Sequence, residues 1–383
     1  MPPGVAGHQH LRAIHSRWAA TTAPGDTRLI TQSDQENHLP KSTVRRYLKL
    51  LAPGTPLRAG IDRILHGRTG ALIVLGNNTQ VQQVSSGGFK IGVECTEQSL
   101  RELAKLDGAI VLSNDLSHIV AAGVHLVPAG DLPTAETGTR HRSADRTAQV
   151  ARIPVVTVSA SMSTVSMFHE GHRHIVETVP QVISRANQTL AALSRVVTRL
   201  GDLMDQFTPL EMAETVTLRD LTHVVHRLEL TRRLSSEMQF HIDLLGIEGR
   251  MVALQHAELA ANFYGIGDLL VADYAGNVSD PSEFDLAKLH NFSPEELFSG
   301  QLVAERLGFG TGANLEQHVE TRGIRLLTKV GRLPASLVTK LIDDFTLQEL
   351  FGASVSVLME IEGIGPTRAR QIRDALLRIT ETS

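Results

Sequence analysis

The chain has 383 residues, of which 42% are hydrophobic, and its formal net charge is −4. This length predicts two or three domains, and the acidic total excludes a uniformly basic surface that would bind nucleic acid along its whole length. A single cysteine, Cys95, excludes a disulfide framework and a cysteine-rich metal site. Because no apolar run is long enough for a transmembrane helix or a signal peptide, we expect a cytoplasmic protein with no membrane partner.

Residues 1–40 are predicted to be a flexible tail, because Pro, Gly, Thr, Ser and Gln recur there without a sustained apolar period. The tail contains His8, His10, His15 and His38, whose spacing matches no usual metal site. We expect these histidines to be solvated.

Residues 41–178 are predicted to form an α/β domain, because short runs rich in apolar and β-branched residues alternate with helical patterns. Strands are predicted over 70–76, 109–112, 119–127, 154–159 and 164–168. Helices are predicted over about 43–52, 57–67, 97–105 and 142–152. The expected fold is a mixed sheet flanked by helices.

From residue 179 the apolar residues recur in alternating steps of three and four, which is typical of a long helix with a seven-residue repeat. The stripe consists of Ile183, Ala186, Leu190, Leu193, Val197, Leu200, Met204 and Phe207. The segment Thr208-Pro209-Leu210-Glu211 is predicted to start the next helix as a capping box with proline at the first helical position. We therefore expect an all-α spine over 179–305, with breaks near 246–249 and 275–281.

The last segment, 306–383, is predicted to be a small all-α domain that contains a helix–hairpin–helix, Gly363-Ile364-Gly365 followed by Pro366-Thr367-Arg368-Ala369-Arg370. The two glycines allow backbone N–H groups to point outward, and the helix that begins at Pro366 adds its positive end. Such a turn can hold a DNA phosphate without reading bases. The residues predicted to contact DNA are Gly363, Ile364, Gly365, Thr367, Arg368 and Arg370.

The charge of this segment limits the expected affinity for DNA. Residues 324–383 contain eight Lys and Arg and seven Asp and Glu, so one copy should bind modestly and with strong salt dependence. Useful binding then requires several copies acting together. The segment Thr328–Pro334 resembles a degenerate first copy of the hairpin with a single glycine, and we expect it to have a structural role.

Two clusters in the α/β domain predict a site for phosphates. Asp107-Gly108-Ala109 lies where a helix leads into a strand, and Glu136–Ser143 (ETGTRHRS) is a glycine-hinged loop that runs into a helix. Guanidinium groups and a helix N-terminus favour a polyphosphate, and the carboxylate can bind a divalent metal or orient an attacking hydroxyl. A surface cluster of salt bridges is the alternative. No Walker motif or G-x-G-x-x-G is present, so the common NTPase and dinucleotide folds are not supported.

Two other features have simpler explanations. The segment His169-Glu170-Gly171-His172-Arg173-His174 differs from H-E-x-x-H because its second histidine comes one residue early, and we expect a solvated turn between two strands. Cys95 precedes a predicted helix and has no partner in the sequence, so we expect it to pack rather than to catalyse.

Four segments in order resemble a known family: GALIVLG at 70–76, SGGF at 86–89, LAKLDGAIVLS at 103–113 and ETGTRHRSADR at 136–146. They are similar to the diadenylate cyclase domain of the DisA-type DNA-integrity scanning proteins of bacteria, whose signatures are the DGA and RHR motifs. The spine and the helix–hairpin–helix follow in the family's order. The resemblance therefore covers about 41–383.

The resemblance implies that two ATP molecules condense to cyclic di-AMP and two pyrophosphates, with Mg²⁺ or Mn²⁺ as the cofactor. Two cyclase domains would face each other, because each 3′-hydroxyl attacks the α-phosphate of the opposite nucleotide. The implied assembly is a homo-octamer with the cyclase domains in its centre. The implied partner is DNA, especially branched recombination intermediates, which would inhibit the cyclase and place the protein at the nucleoid.

The resemblance also implies roles for individual residues. Asp107 would bind the metal and help to activate the 3′-hydroxyl, and Gly108 would let the backbone approach the nucleotide. Leu126 would line the adenine pocket, and Ser159 would contact the nucleotide. The residues that would hold the phosphates are Thr139, Arg140, His141, Arg142 and Ser143.

Three positions depart from the family pattern. Leu106 replaces a methionine, Ser143 replaces a threonine, and Met167-Phe168 stands where the family usually has a tyrosine. None of these changes removes a catalytic group. The alternative function is a DNA-scanning helix–hairpin–helix protein whose nucleotide domain senses ATP without catalysis.

Overall fold

The computed structural model describes residues 42–330 and 333–382. The predicted tail, with its four histidines, and two residues of the degenerate hairpin copy, Gly331 and Arg332, lie outside this range. The described residues form two compact units. We call residues 42–189 with 237–255 the sheet unit, and residues 190–236 with 256–382 the helical unit. The domain boundaries given above stay predictions.

The sheet unit is built on an eight-stranded mixed sheet. Its strands are β1 (Ala71–Val74), β2 (Ser85–Ser86), β3 (Phe89–Glu94), β4 (Ala109–Leu112), β5 (His118–Leu126), β6 (Val155–Ser159), β7 (Thr164–His169) and β8 (His172–Val176). The strand order is β2-β5-β4-β1-β6-β7-β8, and β3 also pairs with β5. The strands β1 and β4 are parallel, and the other pairs are antiparallel.

Helices cover both faces of this sheet. They are α1 (Ser42–Leu50), α2 (Pro56–His66), α3 (Thr79–Val84), α4 (Glu97–Leu103) and α5 (Thr139–Ala151). Ile73 and its neighbours on one face pack with α1, α2 and α4, while Leu72 and its neighbours on the other face pack with α3 and α5. Because both faces are buried, the central strands appear in the sequence as continuous apolar runs, which confirms the predicted mixed sheet flanked by helices.

Four elements of the sheet unit lie outside the ranges predicted for strands and helices, namely α3, β2, β3 and β8. Strand β3 exposes most of its side chains, including Phe89 and Val93. It therefore lacks the alternation of buried apolar and exposed polar residues by which a strand is recognised. Its partner β5 is recognised instead by an apolar run in which Ile119, Ala122 and Val124 are buried, and pairing with β5 holds β3 in place.

The spine region is helical, as predicted. Its elements are α6 (Val179–Met212), α7 (Leu218–Leu245), a 3₁₀ turn (Gly246–Gly249), α8 (Arg250–Ala261), α9 (Ile266–Tyr274) and 3₁₀ turns at Ala275–Asn277, Pro281–Glu283 and Leu286–Leu289. The two expected breaks are confirmed. The apolar stripe of α6 differs at its start, where Val182 is buried and Ile183 is half-buried.

The prediction that a helix begins at Thr208 is wrong. Helix α6 continues through Pro209, and the Thr208 hydroxyl donates to the Met204 carbonyl oxygen at 2.9 Å instead of capping a new helix. Glu211 is fully buried and forms an ion pair. The next helix is capped by Thr217, whose backbone N–H donates to Asp220 Oδ2 at 3.0 Å while its hydroxyl accepts from the Asp220 N–H at 3.3 Å.

The remaining elements are short. They are α10 (Pro294–Phe298), α11 (Gly300–Ala304), a π turn (Glu305–Phe309), α12 (Ile324–Thr328), α13 (Ala335–Asp344), α14 (Leu347–Gly352), α15 (Val355–Leu358) and α16 (Pro366–Thr382). Helices α12 to α16 share a core of their own that includes Leu341, Leu358 and Ile372. Among the residues that the structure describes, no helix is both long enough and apolar enough to cross a bilayer.

Candidate functional site

One edge of the sheet collects several of the predicted nucleotide-site residues. Asp107 and Gly108 immediately precede β4, and Gly70 precedes the parallel strand β1. Ser159 ends β6 and Leu126 ends β5, and both of these strands run antiparallel to their neighbours β1 and β4. Segments that are far apart in the sequence therefore meet along a single edge.

Gly108 permits a close approach of two strands at this edge. Its φ of +111° lies in the region that favours glycine, and a Cβ there would lie 2.6 Å from the carbonyl carbon of Gly123 and 2.8 Å from the carbonyl oxygen of Val124. Any side chain would push the start of β4 away from β5. Asp107 is exposed directly beside this contact.

Arg140 reaches this edge from the start of α5. A Cβ on Gly70 would overlap the Arg140 guanidinium, so the absence of a side chain at Gly70 makes room for that group. The N-cap of α5 is Gly138, which supplies no capping side chain. The first turn of α5 therefore presents backbone N–H groups beside the exposed Thr139 and Arg142 and the half-buried Ser143.

The His141 side chain faces a different neighbour from that of Arg140. Its ring stands edge-on to the ring of Phe168, with 5.9 Å between the centroids. Phe168 pairs with Val155, at the end of β6 opposite to Ser159. Burial lowers the pKa of His141, Arg173 and Arg140 lower it further, and Glu136 raises it in part. The net effect of these neighbours favours the neutral imidazole.

Phe168, which departs from the family pattern, belongs to the core. It is 1% exposed, and Met167 beside it is fully buried. The Phe168 ring lies under the guanidinium of Arg173 as well as against His141. Phe168 therefore supplies packing contacts where the family's tyrosine would carry a hydroxyl.

A cavity of about 700 Å³ opens between α3, the β2–β3 segment and the face of β4 and β5. Its lining includes Gln82, Gly88, Phe89, Val111 and Val124. The paired glycines of the SGGF motif are the sequence signal for this cavity, because paired glycines allow a close approach of the backbone. Indeed, a Cβ on Gly88 would lie 2.8 Å from Val124 Cγ2.

The histidine-rich segment forms the predicted turn. Glu170 and Gly171 have φ of 47° and 78° and connect β7 to β8. The expectation that the whole segment is solvated is wrong for His169, which is 5% exposed and lies against the ring of Tyr47. Cys95 packs in the core, as predicted, and burial raises the pKa of its thiol to about 11.

The C-terminal turn lies between α15 and α16. Gly363 has a φ of +97°, Ile364 is buried, and the turn ends where Pro366 starts α16. Gly365 does not have a positive φ, so the prediction that both glycines need special backbone angles is correct only for Gly363. Arg368 Nη1 donates to the Gly363 carbonyl oxygen at 2.8 Å and thereby braces the turn. The side chains of Thr367 and Arg370 are exposed.

Comparison with known proteins adds independent information. A family model described as DisA bacterial checkpoint controller nucleotide-binding matches residues 58–173, and one described as DisA bacterial checkpoint controller linker region matches residues 176–316. The DNA integrity scanning protein DisA of Cutibacterium acnes is 46% identical over 336 residues, which are 87% of this chain and 98% of that protein. The chain belongs to the DisA family.

Further DisA relatives are similar over comparable lengths. The protein of Parafrankia sp. is 44% identical over 88% of this chain and 96% of its own length. Among solved structures, a double mutant of DacA from Staphylococcus aureus matches at 22% identity over 36% of this chain and 91% of its own, with a TM-score of 0.29, and we infer nothing from it. Membership of the DisA family identifies the sheet unit as the bearer of a nucleotide-binding domain of the DAC type.

Proposed function

We propose that the chain is a diadenylate cyclase that condenses two ATP molecules into cyclic di-AMP with release of two pyrophosphates. The observation that carries this proposal is that Asp107, the Arg140 guanidinium and Ser159 lie along the same edge of the sheet. A carboxylate, a phosphate-binding cation and a hydroxyl on rigid elements are the groups that phosphoryl transfer requires, since it depends on positioning and charge neutralisation.

The residues present fit a divalent metal that arrives with the nucleotide. The described residues contain no group of three or more His, Cys, Asp or Glu side chains placed to hold a metal. Mg²⁺ and Mn²⁺ favour oxygen ligands, and Mg²⁺ is usually bound by one or two carboxylates together with substrate phosphates. The exposed Asp107 would supply the protein ligand, and the metal would neutralise charge on the phosphates.

Other residues of the chain would bind the phosphates and the rest of the nucleotide. Arg140, with the first-turn N–H groups of α5 and the side chains of Thr139, Arg142 and Ser143, would hold the phosphates. Ser159 would contact the nucleotide, and Leu126 would line the adenine pocket.

The product is cyclic, so the reaction needs two nucleotides in opposite orientations. Each 3′-hydroxyl oxygen forms a bond to the α-phosphorus of the other ATP, and the bond from that phosphorus to pyrophosphate breaks. Asp107 would help to remove the hydroxyl proton. We propose that two sheet units face each other for this purpose, within a homo-octamer.

We also propose that the turn at Gly363–Gly365 binds DNA phosphates, preferentially in branched DNA, and that bound DNA inhibits the cyclase. Support comes from the backbone geometry at Gly363 and from the exposed Thr367 and Arg370 at the start of α16. The protein would then act at the nucleoid.

The deciding experiment is incubation of the purified protein with ATP and Mn²⁺ or Mg²⁺, followed by mass spectrometry of the products. We expect cyclic di-AMP from the wild type and a loss of at least about 100-fold in rate for Asp107→Asn. The matched control is Asp62→Asn, which makes the same chemical change on α2 and disturbs only a partly exposed pair with Arg58. Its rate should equal that of the wild type.

Two results would contradict the proposal. If folded wild-type protein makes no cyclic di-AMP with either metal, the DAC domain is a nucleotide sensor rather than an enzyme. If Asp107→Asn is as active as the wild type, the role of Asp107 is wrong.

A further inference from the structure

Arg173 on β8 makes three contacts that converge near the start of α5. Its Nε donates to Ser166 Oγ at 3.0 Å, and its Nη1 approaches the two Glu136 carboxylate oxygens at 3.3 and 3.4 Å. Its guanidinium lies 6.0 Å above the centroid of the Phe168 ring. Both partners of the ion pair are partly exposed to solvent, with 31% of the Arg173 side chain and 18% of the Glu136 side chain accessible. We call Arg173 and Glu136 the clamp.

The clamp fastens a segment that has few other attachments to the sheet. Glu136 lies two residues before Gly138, the N-cap of α5, and no regular element covers 128–138. The earlier part of this loop is tied to α5 itself, since Arg146 donates to the Leu132 carbonyl oxygen and Gln149 donates to that of Pro133. The clamp ties the end of the loop to β7 and β8 instead.

The clamp also acts on His141. The Phe168 ring contacts both the Arg173 guanidinium and the His141 ring. The charged groups that act on the imidazole come from three elements, namely Arg140 on α5, Glu136 in the loop and Arg173 on β8. Arg173 lowers the pKa of His141 and Glu136 raises it, so the two residues of the clamp have opposite effects on this pKa.

We propose that Arg173 and Glu136 are positioning residues that hold the first turn of α5, and with it Arg140, in place to bind nucleotide phosphates. This inference rests on the proposed nucleotide site. Neither residue needs to touch the substrate. The first turn has no capping side chain, so the clamp adds a tie between the sheet and the residues that lead into this turn. Small displacements of binding groups are costly.

The first measurement is the binding of a non-hydrolysable ATP analogue by titration calorimetry, together with kcat and KM for cyclic di-AMP synthesis. Arg173→Gln and Glu136→Gln should each raise Kd and KM by about tenfold. The double variant should be no worse than either single variant, because both remove the same interaction. Arg173→Lys should recover part of the loss, since lysine keeps the charge but not the fork that reaches Ser166 and Glu136 together.

The matched control is Arg63→Gln, which removes an exposed ion pair with Glu97 from the same unit. Its affinity for the analogue should equal that of the wild type. If the clamp variants lower only the melting temperature and bind the analogue as tightly as the wild type, the pair is an ordinary structural ion pair and the inference is wrong.

A second measurement separates positioning from general loosening. The pKa of His141 can be followed by NMR of ¹³C-labelled histidines, with its signal assigned by its absence in His141→Gln. Arg173→Gln should raise this pKa, because a positive neighbour is lost, and Glu136→Gln should lower it. Loosened structure would instead hydrate the ring and raise the pKa in both variants, which would overturn the inference.

These measurements also separate the inference from the proposed function. A wild type that binds the analogue but makes no cyclic di-AMP refutes the cyclase, while the analogue affinities still test the clamp. If the wild type binds no analogue, the opposite shifts of the His141 pKa remain the test.

Discussion

At the scale of single residues, Gly70 shows how an absent side chain can serve a site. A Cβ at Gly70 would overlap the Arg140 guanidinium, which is the far end of a flexible side chain, and would lie 3.2 Å from the Val158 carbonyl oxygen. The backbone of Gly70 does not have a positive φ. The cost of a methyl group at Gly70 therefore falls on the placement of Arg140 rather than on the fold.

We predict that Gly70→Ala raises KM for ATP by about tenfold, because Arg140 must leave its position at the edge of the sheet. The free energy of unfolding should change by less than about 1 kcal/mol, since the overlapping group can move into solvent. Steady-state kinetics and urea unfolding provide the two measurements. Gly130→Ala, with open space around its added methyl group, is the matched control. A large loss of stability with unchanged KM would show that Gly70 serves the fold instead.

The sequence predicts which residues would carry the chemistry of the proposed site, but it does not predict how they are arranged. Asp107 and Arg140 belong to motifs whose residue types indicate phosphate and metal binding. The motif ETGTRHRS does not reveal that His141 turns toward Phe168 while Arg140 reaches Gly70. His141 and Arg140 have different neighbours because of the order of β1, β6 and β7 in the sheet. Local sequence patterns do not determine this order.

At the scale of elements, a buried polar cluster joins α6, α9 and α12 within the helical unit. Glu211 on α6 forms an ion pair with Arg325 on α12, and the Tyr274 hydroxyl on α9 donates to Glu211 at 2.9 Å. The Asp273 carboxylate accepts from the backbone N–H groups of Ile324 and Arg325 at 2.6 and 2.9 Å and so caps α12. Each of these four side chains is at most 5% exposed.

The same cluster explains why the predicted capping box at Thr208 failed. The pattern Thr-Pro-x-Glu satisfies the local rule for a helix start. However, the Arg325 guanidinium donates both to the Thr208 hydroxyl and to Glu211, and this occupies the two groups that a capping box would use. Arg325 is 114 residues away from Glu211 in the chain, so no local pattern could reveal the competition.

Asp273 makes the stability of the helical unit around this polar cluster depend on pH. Burial, with the charge of Glu211 as a smaller cause, raises the pKa of Asp273 from 3.8 to about 7. The folded protein therefore holds this proton more tightly than the unfolded chain does. The contribution of Asp273 to stability is full below about pH 4 and is lost as the pH rises toward 7, by an amount on the order of 4 kcal/mol.

We predict that the stability difference between wild type and Asp273→Asn decreases as the pH rises from about 4 to about 7, and is constant above that range. Urea unfolding followed by circular dichroism at several pH values measures this difference. Asp202→Asn removes an exposed carboxylate from α6 and is the matched control. A difference that grows with pH would mean that Asp273 is ionised in the folded protein throughout the range.

At the scale of the whole molecule, the chain joins a nucleotide-binding domain of the DAC type to a turn for which we propose DNA as the ligand. The overall charge of −4 excludes a generally basic surface, and the C-terminal helices are nearly neutral. The proposed DNA binding would therefore depend on backbone geometry at Gly363 and on a few cations at the start of α16. The expected consequence is weak binding per chain, made useful by several chains in one assembly.

We predict that a four-way DNA junction inhibits cyclic di-AMP synthesis by the wild type, and that Arg370→Gln weakens both junction binding and inhibition without changing the rate in the absence of DNA. Arg370 is exposed two turns before Arg378, which lies on the same helix about 12 Å farther from the Gly363 turn. Arg378→Gln carries the same loss of charge and should behave like the wild type. Gly363→Val, whose side chain conflicts with a φ of +97°, should abolish binding.

The salt dependence of junction binding distinguishes the proposed binding mode from a general effect of charge. We assume that the Arg370 guanidinium neutralises one phosphate in each chain. The slope of log K against log salt should then become less negative in Arg370→Gln, by about 0.9 for every phosphate that is no longer neutralised. The slope should remain unchanged in Arg378→Gln. Equal slopes in the two variants would place the DNA-binding surface elsewhere. If Arg370→Gln loses DNA binding yet remains inhibited by DNA, inhibition proceeds through a different surface, and the link from the C-terminal turn to the cyclase would be wrong.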